Sequence, residues 1–180
     1  MMNNNFKAAF FEYAKIIVIA LVLTLIVRTY VAEARFIPSE SMLPTLKVGD
    51  RLIIEKISIE IKGLRDIQRG DIVVFDPPAS AKSEDDIPFI KRVIGLPGET
   101  VSIKKGTVYI NGEPLNEPYI FEKPAWDFKP YVIPDNMIFV MGDNRNHSND
   151  SRYWGPLPVQ NIIGKAEFRY YPFSDIGPLN

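Results

Sequence analysis

Hydrophobic and polar positions divide the chain into two regimes. From Ile16 to Val27 every residue except Thr24 is apolar, with no polar face at helical spacing. The wider stretch from Tyr13 to Ala32 reaches about 30 Å as a helix, the thickness of a bilayer's hydrocarbon core. Lys15 and Arg28 near its ends can snorkel to the headgroups, and Tyr13 and Tyr30 suit the two interfacial zones. The pattern predicts one membrane anchor over 13–32, after a short N-terminal segment, 1–12. Two other readings fit part of it. An apolar run of about 10 to 14 residues is also the length of a leader's h-region or of a buried core helix. Ala32-Glu33-Ala34 has the small-x-small form of a leader cleavage site. Lys7 and Lys15 precede the span while Arg28 and Arg35 follow it, so charge says little about orientation.

After Arg35 the pattern changes to short β-rich runs. Strands are expected over 51–54, 72–75, 90–94, 100–103, 108–110 and 137–141. Gly49-Asp50, Gly70-Asp71, Gly98-Glu99, Lys105-Gly106 and Asn111-Gly112 punctuate them, and 101–115 reads as successive hairpins. The expected fold class is all-β: a catalytic domain over 35–180 built from several short antiparallel sheets. Residues 77–86 read as a mobile polar loop, and 104–135 as a small insertion whose stretch from Gly112 to Pro134 is irregular.

Composition narrows the chemistry. The 180 residues carry a net charge of −1, one His and no Cys. Near-neutral charge leaves no footprint for nucleic acid, and the missing cysteines exclude disulfides and a thiol nucleophile. One histidine makes a His-rich zinc site implausible, so no metal or cofactor is expected.

Three polar clusters remain. In the first, Pro38-Ser39-Glu40-Ser41-Met42-Leu43-Pro44, two prolines restrict the backbone. If 37–41 is extended, Ile37, Ser39 and Ser41 line one wall of a cleft. A juxtamembrane Ser/Pro linker is the plain alternative. The second cluster places Lys91 and Arg92 inside the apolar run Phe89 to Ile94. Periodicity cannot say which cation is buried, but only lysine can lose its proton. A free lysine titrates near ~10.4, so service as a base near neutrality takes desolvation worth roughly 3–4 kcal/mol. The third cluster, 142–155, is a dense polar loop whose Asp143, Asp150, Arg145 and Arg152 can form a rigidifying ion-pair lattice. His147 invites a Ser-His-Asp triad, but a lone loop histidine is more often an exposed polar residue. Arg69-Gly70-Asp71 is explained by a turn entering a strand, and the two sequon matches at Asn146 and Asn149 carry little weight.

In this order, the anchor, PSESMLPTL at 38–46, GDIVVF at 70–75, KRVIGLPGE at 91–99 and GDNRNHSNDSRYWGPLP at 142–158 resemble bacterial type I signal peptidases of peptidase family S26 over nearly the whole chain. The resemblance implies a membrane-anchored serine endopeptidase that removes signal peptides from exported preproteins. It implies Ser41 as nucleophile, Lys91 as general base, and an oxyanion hole of the Ser39 hydroxyl and the Ser41 backbone N–H. It assigns Ser148 to orienting the lysine and Asp143, Arg145, Asp150 and Arg152 to a supporting network. Ile37, Met42, Leu46, Phe89 and Ile90 are the implied substrate-binding walls. It further implies a compact variable β subdomain, the bilayer and preproteins as partners, a monomer, and a catalytic domain outside the bacterial cytoplasmic (inner) membrane. Asn146-His147 before Ser148 departs from the usual residues there. The SOS-type repressor autoproteases share such a catalytic core but carry a DNA-binding helix-turn-helix and no anchor. An inactive membrane-tethered peptide-binding β module is the rival from another class.

Overall fold

The computed structural model describes residues 4–81 and 87–179. Helix α1 (Asn4–Ile26) continues through a π-helical turn, Val27–Val31, into strand β1 (Ala32–Phe36). The apolar part, Phe10–Val31, spans 22 residues at a mean hydropathy of 2.3, and none of these residues is buried in the protein. Thr24 satisfies its hydroxyl on the Ala20 carbonyl one turn back, which removes the polar exception in the run.

Strand β2 (Arg51–Glu55) and the short helix α2 (Ile57–Lys62) precede β3 (Ile72–Phe75) and β4 (Phe89–Gly95). Then come β5 (Thr100–Lys104), β6 (Thr107–Ile110), β7 (Glu113–Pro114) and β8 (Phe128–Val132). The chain closes with β9 (Met137–Met141), α3 (Ser151–Trp154), β10 (Leu157–Pro158), β11 (Ile162–Tyr171) and β12 (Gly177–Pro178). An antiparallel main sheet runs in the order β1-β2-β11-β3-β4-β9-β10, with β12 against β11; a second sheet runs β7-β6-β5-β8. The fold is all-β with one long N-terminal helix.

The main sheet is covered on both faces around the strands that carry the chemistry. In β3, Ile72 and Val74 join Ile37, Met42, Leu46 and Ile90 in one core cluster, while Val73 and Phe75 join Val93, Ile138 and Val140 in another. Alternate side chains thus bury on opposite faces, so the strand reads as a continuous apolar run. A third cluster, with Ile94, Phe139, Met141, Val101 and Ile103, seals the second sheet onto the first.

Several elements differ from expectation. The longest strand, β11, is missed because its apolar residues are interrupted by Lys165, Glu167 and Arg169; Lys165 pairs with Asp66, and Arg169 with Asp50 and the Asp175 carbonyl. β1 and β8 are missed as well. Residues 37–41 form no strand; Ser41 instead opens a turn, with Leu46 N–H donating to the Met42 carbonyl. In the polar loop expected over 77–86, Ala81 N–H donates to the Pro78 carbonyl and Ser80 Oγ to the Trp154 carbonyl. Residues 82–86 lie outside the described residues.

Candidate active site

The turn after Pro38 and the strand β4 bring Ser41 and Lys91 together. Lys91 Nζ lies 2.9 Å from Ser41 Oγ and donates to the Ile90 carbonyl, also at 2.9 Å. Both residues are buried, at 7% and 5% exposure. Ser39, exposed at the cleft rim, places its hydroxyl 3.4 Å from Ser41 Oγ. A cavity of about 330 Å³ opens over them, walled by Pro38, Ile87, Pro88, Phe89 and Ile90.

Burial lowers the Lys91 pKa from 10.5 to about 8, against the pull of Asp150 and Asp143 toward the charged form and with help from Arg152. Desolvation wins because each carboxylate already has a cationic partner. Arg92, itself buried, donates from Nε and Nη2 to the two oxygens of Asp143 at 2.9 and 2.7 Å. Arg152 forks onto Asp150 at 2.8 Å from both Nε and Nη2. These bidentate pairs turn two anions near the amine into near-neutral dipoles.

The expected lattice among Asp143, Asp150, Arg145 and Arg152 is therefore only partly realised. Arg152 pairs with Asp150, but Asp143 pairs with Arg92, and Arg145 pairs with Glu117 at 2.6 Å. Arg92 and Glu117 were missed because each joins its partner across a long sequence separation that charge spacing cannot reveal. The Arg92 guanidinium also lies 4.1 Å from the Tyr119 ring centroid.

The 142–150 loop clasps the serine turn. Asn144 N–H donates to the Ser41 carbonyl at 3.1 Å, Asn144 Nδ2 to the Glu40 carbonyl at 3.1 Å, and Thr45 Oγ1 to Asp143 at 2.6 Å. Gly142 sits in the crevice between the two segments. A Cβ there would stand 2.4 Å from both the Ser41 carbonyl and Ser148 Oγ. Backbone cannot yield as a flexible side-chain tip would, so Gly142→Ala is expected to push the serine turn off the lysine. Cleavage should fall by ~10-fold or more, with a stability loss of about 1–3 kcal/mol, read by peptide cleavage and thermal melting.

Some expected placements change. Ser148 is buried, yet its Oγ hydrogen-bonds to none of the described residues; Lys91 is held by Ser41 and the Ile90 carbonyl instead. Met42 and Leu46, expected on the cleft wall, are fully buried core residues. Phe89 and Ile90 do line the cleft, and Ile37 lines a small adjoining groove with Arg35, Val74 and Ile90. His147 edges the cleft with a mostly exposed side chain, 3.6 Å from Glu122.

A serine hydroxyl touching a buried, proton-shedding lysine suits acyl transfer without a histidine. The family described as signal peptidase, peptidase S26, matches residues 10–171. The chain belongs to this signal peptidase family. It is 52% identical over 171 residues to a probable signal peptidase I-1 of Synechocystis sp., covering 93% of this chain and 86% of that one. A signal peptidase I of Leptolyngbya laminosa is also 52% identical over 171 residues, covering 93% and 83%. One from Bacillus licheniformis is 38% identical over 185 residues, covering 97% and 95%. As a member of the signal peptidase family, the chain is a serine endopeptidase, and its apolar N-terminal helix fits membrane anchoring.

Proposed function

We propose that this chain removes signal peptides from exported preproteins, with Ser41 as the nucleophile and Lys91 as its general base. The observation that carries the reading is the 2.9 Å contact between Ser41 Oγ and a lysine amine whose charge burial disfavours. The neutral amine takes the Ser41 proton as Oγ attacks the scissile carbonyl carbon. The resulting ammonium returns that proton to the departing amine, leaving an acyl-serine. Water then gives a proton to the same amine and attacks the acyl carbon; the ammonium returns that proton to Ser41 Oγ as the ester bond breaks and the new carboxyl end departs.

The Ser41 backbone N–H and the Ser39 hydroxyl are the proposed oxyanion donors. A donor aimed at the developing charge contributes roughly 3–4 kcal/mol to the barrier reduction. Ser148, close above Gly142, and the paired Asp143, Arg145, Asp150 and Arg152 keep the serine turn and the lysine in register. Ile37, Phe89 and Ile90 supply apolar walls that favour small side chains before the cut. No metal or cofactor enters any of these steps.

The proposed topology is a single span over 13–32, a cytoplasmic segment 1–12, and a monomeric catalytic domain, 35–180, outside the bacterial inner membrane. An apolar helix with no buried residue between Phe10 and Val31, more than 30 Å long at ~1.5 Å per residue, favours lipid as its surroundings. The test is preprotein cleavage by purified protein in lipid vesicles, with spheroplasts for topology. Cleavage after the leader, carbonate-resistant membrane association and digestion of the β domain by external protease are expected. An uncut preprotein would favour the inactive binding module, and protection of the β domain would refute the orientation.

A further inference from the structure

Residues 117–126 lie in the irregular stretch of the second-sheet region and, apart from the Glu117 pair with Arg145, have no role in the steps above. The structure wraps them around the outer side of the active-site loop. Glu117 forms the buried pair with Arg145, and Phe121 N–H donates to the Asp143 carbonyl at 3.1 Å. Asn146 accepts from Ala125 N–H at 2.8 Å and donates to the Lys123 carbonyl at 3.1 Å. Trp126 meets Tyr153 edge to face, with ring centroids 6.3 Å apart. Both rings stay substantially exposed, at 45% and 59%.

Such anchoring would be out of proportion for a solvated loop, and it holds two aromatic rings open to solvent beside the cleft. Beside Tyr153, a shallow depression of about 310 Å³ is lined by Asn146, Ser148 and Asn149. Asn149 also lines the cavity over Ser41 and Lys91, so the two hollows adjoin at this residue. The cleft also shares Pro38, Ile87, Pro88 and Ile90 with the small groove beside β1. β1 follows directly from the anchor. A substrate whose apolar leader is still in the bilayer reaches Ser41 from that β1 side. On that reading, the hollow across Asn149 toward Tyr153 is the path open to the residues after the cut.

We propose that the 117–126 segment and Tyr153 form a subsite for the residues following the scissile bond, where a large apolar side chain docks against the Tyr153–Trp126 pair. This rests on the peptidase reading above and deepens it: the first residues of the mature polypeptide, as well as the leader, set the rate of cleavage. The aromatic faces supply contact area with little side-chain entropy to lose, and the anchored backbone keeps them preorganised. Trp126 and Tyr153 touch no reacting atom, so their contribution is to specificity.

The test is a peptide series identical up to the cut, with Leu, Ser or Asp placed in turn at the first four positions after it. At one of these positions wild type is expected to prefer Leu to Asp by about 10-fold in kcat/KM, mainly through KM. Trp126→Ala and Tyr153→Ala should flatten that preference to within about 2-fold, whereas Trp126→Phe keeps it. A substrate with one residue after the cut should be cleaved at the wild-type rate by all of them, which also reports correct folding. Independently of these variants, a quencher placed after the cut in a peptide bound to the Ser41→Ala protein should dim Trp126 emission, while one placed before the cut should not. A flat wild-type series, a preference that survives both alanine variants, or equal quenching from both placements overturns the proposal. Failure of the peptidase reading looks different: wild type would cleave none of the series.

Discussion

Lys91→Arg is expected to cleave preprotein roughly 10³-fold more slowly than wild type, or worse, although it preserves the positive charge. Arginine keeps its proton under all practical conditions, so it cannot accept one from Ser41. Ser41→Ala and Lys91→Ala should lose activity on a similar scale, because the two groups act as one unit and their losses do not add. A fully active Lys91→Arg enzyme would remove lysine from the chemistry. Stability should move the other way for an apolar replacement. Folded Lys91 titrates near 8 and the unfolded side chain near 10.5, so between these values the unfolded chain holds more protons and stability rises with pH. Below about 8 the full cost of burying the ammonium is present, about 3 kcal/mol on this scale. Lys91→Met should therefore melt higher than wild type at pH 7, an advantage that fades as pH approaches about 10.5. An amine that weakens the fold in this way is what a base held neutral by its surroundings requires.

The second large effect is expected at Arg92. Its guanidinium is 2% exposed and Asp143 is fully buried, so Arg92→Met leaves an uncompensated carboxylate inside the protein. Removing one partner of such a pair costs about 3–5 kcal/mol, measurable by chemical denaturation. Arg92→Met/Asp143→Leu should recover part of this, because the stranded charge goes with its partner. The single variant also carries a chemical signature. Asp143 already pulls Lys91 toward its charged form, and freed from Arg92 it would pull harder. The acid limb of cleavage should move to higher pH in whatever folded Arg92→Met enzyme remains. An unmoved limb, with only a lower melting point, would reduce Arg92 to a packing element.

Local patterns of the sequence made the strands around the chemistry legible. The runs at 72–75 and 137–141 match β3 and β9 residue for residue, and 90–94 lies within β4. Each is a short apolar run closed by a Gly, Asp or Pro turn, where local and tertiary preferences agree. β11 escaped because a strand whose charged side chains find partners on neighbouring elements looks polar from sequence alone. At the site, lysine's unique ability to lose a proton pointed to position 91 while periodicity left Lys91 and Arg92 equivalent. In the structure both are buried, and each has its own partner. Glu117 and the 117–126 wrap were invisible because their contacts join segments more than 20 residues apart. The family resemblance implies Met42 and Leu46 on the cleft wall, whereas the turn starting at Ser41 carries them into the core beneath.

The most direct measurement is the pH dependence of kcat/KM for wild-type cleavage of a peptide with no titrating group between pH 6 and 10. If the amine at 91 must be neutral before the hydroxyl at 41 can attack, the rate should climb tenfold per pH unit and level off near pH 8. A profile that is flat across this range, or one that still climbs beyond pH 10 as an ordinary solvated lysine would dictate, contradicts a desolvated lysine base.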